Sequence, residues 1–205
     1  MNVPISKADK IKLLNSDDIY SIMQKVLLRE DKIEQDKEHF WILGLATNNR
    51  LLFVELISLG SVNRTIVEPV EVYSMALQKR AVKIILCHNH PSGELKPSLE
   101  DQDITDRLIQ VGRIVNLPVI DHLIITDINY LSFADIGLMQ KLEKSVKYVP
   151  SYEIAQRIRA EANAIAEQKV EEAKFVMATK MKAEGFDLKV IVKITGLSLE
   201  EVEEI

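Results

Sequence analysis

Two histidines and an aspartate lie at spacings that suit one metal ion. His88 and His90 are separated by one residue, and Asp101 follows after a short polar segment. The apolar run at 82–87, just before them, is typical of a buried strand. Because residues two apart on a strand point the same way, the two imidazoles are expected to converge while Asn89 faces the opposite side. Two imidazoles and one carboxylate suit zinc, and a fourth coordination position would stay open to water, as in catalytic zinc sites.

Asp101 is predicted to lie in the first turn of a helix. The sequence Pro91-Ser92-Gly93 is typical of a turn, and Ser98 is a typical helix N-cap. The partial positive charge at a helix N-terminus favours the ionised carboxylate, which is the form that binds metal. Ser98 has two compatible interpretations: a plain helix cap, or a hydroxyl that stabilises charge developing on a substrate carbonyl oxygen.

A base must take the proton from water at such a metal, and the sequence prediction for that base is Glu55. It interrupts the apolar run at 51–57, which is typical of a strand buried on both faces. A buried carboxylate needs a partner or a proton, and water on the metal would be such a partner. The alternative is that Glu55 faces solvent at a sheet edge or pairs with Arg50 or Arg64.

Three other reactive side chains are predicted to be structural. Cys87 is next to His88, but alternation along the strand points the two side chains apart, which favours a buried core thiol over a Cys/His nucleophile. His122 begins an apolar strand and is interpreted as a core histidine, with a role behind the metal ligands as the alternative. His39, beside two aromatic residues, is predicted to be structural.

These blocks resemble the JAMM signature of the JAB/MPN metallopeptidase superfamily. The resemblance is carried by the spacing His88-x-His90, seven residues, Ser98, two residues, Asp101, with Glu55 upstream. The sequence is more similar still to the RadC-like branch, whose HNHPSG, PS-x-x-D and DH-[LI]-I-[IV] blocks occur here at 88–93, 97–101 and 121–125. The similarity covers roughly residues 38–140.

The resemblance implies an α/β fold of the α+β kind, JAB/MPN-like, with a mostly antiparallel sheet flanked by helices. It implies Zn²⁺ held by His88, His90 and Asp101, Glu55 as general acid/base, and Ser98 supporting the oxyanion. The implied activity is that of a peptidase or isopeptidase with a protein or peptide substrate.

Three alternatives stay open at this point. The domain could be a non-catalytic module that binds protein or DNA, or it could have the DNA-repair role historically attached to RadC-like proteins. Two histidines and one carboxylate can also hold non-haem iron instead of zinc. Salt-dependent DNA binding and metal analysis would separate these alternatives.

The chain is predicted to have three parts: an N-terminal helical segment at 1–37, the metallohydrolase domain at 38–142, and a helical extension at 143–205. In the first part, Asn15 is predicted to cap a helix that runs to about Leu28, and residues 30–38 are predicted to form a charged connection.

The extension is predicted to be helical throughout most of its length. Residues 151–183 contain no proline or glycine and are rich in helix-forming residues, which predicts a long helix. Beyond it, Gly196 and Ser198 predict a C-cap and an N-cap of two short helices. An apolar stripe on the long helix suggests self-association as one way to cover it.

Composition and charge are typical of a cytoplasmic enzyme. The 205 residues are 47% hydrophobic, which is enough for a core, and a single cysteine excludes an internal disulfide framework. Neither a secretory signal nor a membrane-length apolar segment is recognised. A formal net charge of −5 disfavours nucleic acid as a partner without excluding it.

Overall fold

The computed structural model describes residues 2–3, 12–30, 35–60 and 67–205. Contacts divide the chain into two compact units, 1–148 and 149–205, a division slightly later than the predicted end of the metallohydrolase domain at 142. Each unit has its own buried core in the described residues. Arg64, one of the predicted alternative partners of Glu55, lies outside these ranges.

The first unit is built on one mixed sheet whose strand order is β1-β3-β2-β4-β5-β6. The strands are β1 Asn2–Val3, β2 His39–Leu45, β3 Leu51–Leu59, β4 Lys83–Asn89, β5 Val119–Ile125 and β6 Tyr130–Ser132. All neighbouring pairs are antiparallel except β4 and β5, which are parallel. The sheet is therefore mostly antiparallel, as the family resemblance implied.

Helices cover both faces of this sheet, which explains why its central strands are almost continuously apolar. Helix α1 (Ser16–Leu27) packs on one face, in a cluster with alternate residues of the central strands that include Trp41 and Cys87. Its N-terminus is capped as predicted, because the Asn15 side chain accepts a hydrogen bond from Asp18 N at 2.9 Å. Burial of every residue of β2 follows from this two-sided cover.

The opposite face carries α2 (Pro69–Gln78), α3 (Leu99–Ile114) and α4 (Leu138–Glu143). Their apolar residues pack with Phe40, Ile42, Ile84 and Leu86, which alternate with the residues that face α1. By the same alternation His88 points toward α3, whereas Cys87 and Asn89 point toward the other face. The predicted separation of Cys87 from His88 is confirmed.

The second unit contains α5 (Ser151–Ala183), α6 (Leu188–Thr195) and α7 (Leu199–Glu204). Its core is formed by Ala178, Met181, Ile191, Leu197 and Val202. Gly196 adopts φ 74°, a left-handed conformation that ends α6, and Ser198 forms a capping box that begins α7, both as predicted. Upstream of Ala178, the α5 stripe residues Ile158 and Ile165 are exposed. In the described residues, no helix combines the length and the low charge that crossing a bilayer requires.

Candidate metal centre

The end of β4 brings the two predicted imidazoles together. His88 is buried and His90 is half-buried, and their Nε2 atoms lie 2.9 Å apart. Extended backbone makes this possible, because residues i and i+2 of a strand project from the same face. The intervening Asn89 is buried and bonded elsewhere, as the alternation predicted.

The turn after β4 determines which nitrogen of His90 faces its neighbour. Gly93 adopts φ 79°, which only glycine enters without strain, and its N–H bonds the His90 carbonyl at 3.0 Å. The chain thereby returns Glu94 to the imidazole, and His90 Nδ1 lies 2.6 Å from the Glu94 carbonyl oxygen. Since a carbonyl oxygen only accepts, Nδ1 carries the proton and the Nε2 lone pair is left for a metal.

Asp101 reaches the histidines from the first turn of α3. Its Oδ1 lies 3.2 Å from His88 Nε2, and its Oδ2 lies 3.6 Å from His90 Nε2. A capping box holds it there: Ser98 Oγ accepts from Asp101 N at 3.0 Å, and Asp101 Oδ2 accepts from Ser98 N at 2.7 Å. Burial alone would raise the pKa of Asp101, but the facing imidazoles of His88 and His90 and the hydrogen bond from Ser98 outweigh it and hold the pKa far below its ordinary value.

A fourth residue, Glu38, completes the group. One donor atom from each of Glu38, His88, His90 and Asp101 lies within 4.8 Å of the others. Glu38 immediately precedes β2. Because Phe40 pairs with His88 in antiparallel register, the residues just before Phe40 lie opposite the residues that follow His88. This set of two imidazoles and two carboxylates fits the ligand chemistry of zinc.

Asn89 fixes the backbone on both sides of Glu38. Its Oδ1 accepts from His39 N at 2.7 Å, and its Nδ2 donates to the Lys37 carbonyl at 3.0 Å. Because Asn89 lies between the two metal-facing histidines, three consecutive residues at the end of β4, 88–90, position both the imidazoles and the glutamate. The polar side chain that points away from the metal thus has a role in building the centre.

Glu55, the predicted base, is not part of this group. It is buried on β3, where it lies opposite Ile42, and Ile42 in turn lies opposite Leu86 of β4. Two strand spacings, roughly 10 Å, therefore separate Glu55 from β4. Its carboxylate instead forms an ion pair with the Lys79 ammonium. The predicted placement of Glu55 beside the metal is corrected: it pairs with Lys79, not with water on a metal, nor is an ion pair with Arg50 found among the described residues.

The ion pair contributes to the ionisation of Glu55. Burial would raise the pKa of this carboxyl, but nearby positive charge, foremost the hydrogen bond from Lys79, outweighs it, and the pKa lies below its ordinary value. A carboxylate held ionised by a neighbouring ammonium needs no metal-bound partner to be stable in a strand.

Ser98 lies at the edge of a cavity of about 600 Å³ that opens above the group. Its Oγ accepts the Asp101 N–H, so its hydroxyl proton stays available for another acceptor. Phe40 and Ile104 form apolar parts of the wall. The charged residues around the opening are mostly acidic: Glu68, Glu94, Glu100 and Asp103, with Lys96 and Arg107.

The remaining predicted side chains have clear positions. Cys87 is fully buried in the α1 face of the sheet, and burial raises the pKa of its thiol well above the ordinary value, which suits a core residue. His39 is buried and stacks on Trp41 with ring centroids 5.0 Å apart. His122 is fully buried, but it also contacts a metal-facing histidine: its Nε2 lies 2.8 Å from His88 Nδ1.

Comparison with known proteins agrees with this geometry. A family model described as "RadC-like JAB domain" matches residues 13–138, more than half of the chain. The chain belongs to the RadC-like JAB domain family. The match includes β2 to β6 and all four residues of the metal group.

Relatives of this RadC-like protein occur in archaea and bacteria. A UPF0758 protein of Methanosarcina mazei is 38% identical over 131 residues, which are 64% of this chain and 55% of the relative. A UPF0758 protein of Desulforamulus reducens is 43% identical over 113 residues, 55% of this chain and 50% of the relative. The RadC-like chain thus spans about half the length of the curated relatives it matches. Family and metal group together fit a metallohydrolase.

Proposed function

We propose that this RadC-like JAB protein is a zinc-dependent peptidase or isopeptidase, with Glu38 as its general acid/base. The observation that carries the proposal is the convergence of Glu38 with His88, His90 and Asp101 below an open cavity. In this assignment the two imidazoles and Asp101 are the zinc ligands, as the sequence predicted. Glu38 is thus assigned the role of general acid/base that was predicted for Glu55.

The reaction is hydrolysis of an amide bond. His88, His90 and Asp101 would hold the zinc ion, which would polarise the scissile carbonyl and acidify the attacking water. Glu38 accepts one proton from that water while the water oxygen forms a bond to the carbonyl carbon. The carbon–nitrogen bond then breaks, its electron pair goes to nitrogen, and Glu38 returns the proton to the departing amine.

Ser98 stabilises the charge that develops on the carbonyl oxygen. Its Oγ is already oriented by the Asp101 N–H, so the hydroxyl proton can be donated to the substrate without reorganisation of the loop. The apolar wall and the acidic rim suit an extended peptide segment with neutral or cationic side chains. Nucleic acid is a less suitable substrate, because the rim offers few positive charges for phosphates.

The decisive experiment compares the wild-type protein with Glu38→Gln. Zinc stoichiometry is measured by titration of the metal-free full chain, and cleavage by mass spectrometry on a complex mixture of natural peptides. Both proteins are expected to bind one zinc, whereas cleavage by Glu38→Gln is expected to fall by about 10²–10⁴-fold. Glu71→Gln, which changes an exposed acidic side chain outside the cavity, is the matched control and is expected to cleave like the wild type.

Four results would contradict the proposal. Equal cleavage by Glu38→Gln and wild type would remove Glu38 from the reaction. Failure of the wild type to bind zinc would remove the metal assignment, and iron in protein purified without added ions would replace zinc by iron. Zinc binding with no cleavage at all would favour the non-catalytic binding module.

A further inference from the structure

His122 links the metal group to the interior of the protein through both of its ring nitrogens. It lies on β5, between the rings of Phe40 and Phe133, whose centroids are 5.6 Å and 4.7 Å from its own. Its Nε2 is 2.8 Å from His88 Nδ1, and its Nδ1 is 2.7 Å from Thr105 Oγ1. In an otherwise apolar environment, these two contacts determine where the imidazole proton is.

The direction of these hydrogen bonds follows from the carbonyl oxygen at the end of the hydrogen-bonded series. Thr105 Oγ1 lies in hydrogen-bond contact with the Asp101 carbonyl oxygen, one helical turn earlier. A carbonyl oxygen cannot donate, so the single hydroxyl proton of Thr105 is used there. Thr105 Oγ1 must then accept from His122, which places the His122 proton on Nδ1.

The requirement for one donor and one acceptor also determines the position of the His88 proton. With its proton on Nδ1, neutral His122 has only a lone pair on Nε2, so His88 must donate from its own Nδ1. His122 is fully buried and packed between the rings of Phe40 and Phe133, and such a site disfavours the charged imidazolium. The proton of His88 is therefore on the nitrogen that faces away from Asp101 and His90.

We propose that Thr105 and His122 are positioning residues that hold the His88 proton on Nδ1 and leave Nε2 unprotonated for the metal. The inference rests on the metal-binding part of the proposed function. His90 reaches the same state more directly, through the carbonyl oxygen of Glu94. One ligand thus depends on a backbone carbonyl alone, whereas the other depends on two buried side chains.

Thr105→Val tests the first of these side chains, because valine keeps the shape of threonine and removes only the hydroxyl. His122 then loses its Nδ1 acceptor and can place its proton on Nε2, which forces the His88 proton onto Nε2. Zinc affinity, measured by competition with a chelator, is expected to fall about 10–100-fold. Thr105→Ser retains the hydroxyl and is expected to bind zinc like the wild type.

A direct readout separates this role from a merely structural one. In the metal-free full chain, ¹⁵N NMR of the imidazoles distinguishes a proton on Nδ1 from one on Nε2. His88 is expected to carry its proton on Nδ1 in wild type and in Thr105→Ser, and on Nε2 in Thr105→Val. Loss of packing alone would lower the melting temperature of Thr105→Val without moving that proton.

A second pair of variants tests His122 itself. Glutamine can accept from His88 and donate to Thr105, so His122→Gln is expected to retain most of the zinc affinity that His122→Phe loses. A His88 proton on Nε2 in metal-free wild type would overturn the proposal, as would undiminished zinc affinity in both Thr105→Val and His122→Phe. If either variant does not fold, the wild-type NMR spectrum and His122→Gln still decide. If the wild type binds no zinc, the metal assignment fails, whereas the NMR result still tests the proton position.

Discussion

Glu55 lies on β3 and Glu38 immediately precedes the neighbouring strand β2, yet only Glu38 joins the metal group. Glu55 is in the middle of β3, is almost fully buried and is paired with Lys79. Glu38 is at the entrance of β2, half-buried, beside His88 and His90. The comparison shows that burial and an apolar context do not tell which carboxylate joins the metal group. Whether a carboxylate joins the metal group depends on its position relative to β4, the strand that carries His88.

Strand order explains the difference. Strand β2 lies directly beside β4, whereas β3 is one strand further away. Residues before Phe40 reach the end of β4 because Phe40 pairs with His88. No residue at the middle of β3 can do so without crossing β2.

Removing a proposed ligand is expected to have the largest effect, because it abolishes the metal centre that Glu38 joins and Glu55 does not. His90→Ala is expected to lower zinc affinity by more than about 100-fold, since loss of an outer partner alone costs roughly 10–100-fold. Chelator competition measures the affinity, and the exposed Glu71→Gln is the control. Unchanged affinity would mean that His90 is not a ligand.

The role of Glu38 can also be tested by displacing its backbone while the side chain is kept. Asn89→Ala removes the bonds to the Lys37 carbonyl and the His39 N–H, so the Glu38 backbone is expected to shift. Turnover is expected to fall by up to about 100-fold while zinc stays bound, because small misplacements of a catalytic group have effects of that size. Peptide cleavage and zinc titration on the same sample provide the test. Loss of zinc together with activity would instead place Asn89 in ligand support.

Lowering the pH is expected to reduce zinc affinity gradually. Burial alone would lower the pKa of His90, but Asp101 and the Glu94 carbonyl outweigh it and raise the pKa above its usual 6.5. Zinc must displace that proton, so zinc affinity is expected to fall about tenfold per pH unit as pH drops through the raised pKa. The sign is opposite for the metal-free fold, which gains stability from protonated His90 at low pH and loses it as pH rises through the folded pKa. Titrations between pH 8 and 5 would contradict this if they were flat.

The smallest effect on activity is expected from a substitution of Glu55. Glu55→Gln removes the ion pair with Lys79 and is expected to lower the free energy of unfolding by about 1–3 kcal/mol. Turnover and zinc affinity are expected to stay at wild-type values. Denaturant unfolding measures the first and the peptide assay the second. A large loss of turnover at unchanged stability would restore Glu55 to the mechanism.

The sequence was sufficient where a function depends on residues close together in the chain. His88, His90 and Asp101 lie on one strand end, one turn and one helix start, and strand alternation and helix capping predict their convergence. The same local rules predicted the Asn15 cap of α1 and the Gly196 and Ser198 caps of the second unit.

The sequence was insufficient where a position depends on strand order. Residues 30–38 were interpreted as a charged connection, and nothing local distinguishes Glu38 among those charges. An assumed antiparallel pairing of 40–46 with 82–87 would have supplied the missing signal. His122 was interpreted as a core histidine for the same reason: its bonds to His88 and Thr105 arise from the parallel pairing of β4 with β5.

The capping box at the start of α3 has a consequence for how the protein acquires its cation. Asp101 is oriented by Ser98 as soon as the helix forms, so the carboxylate is preorganised before any ion arrives. Loading then requires little loss of conformational entropy. A zinc finger stays unfolded without its ion, whereas this domain has two apolar clusters, one on each face of its sheet. The domain is therefore expected to fold before it binds an ion.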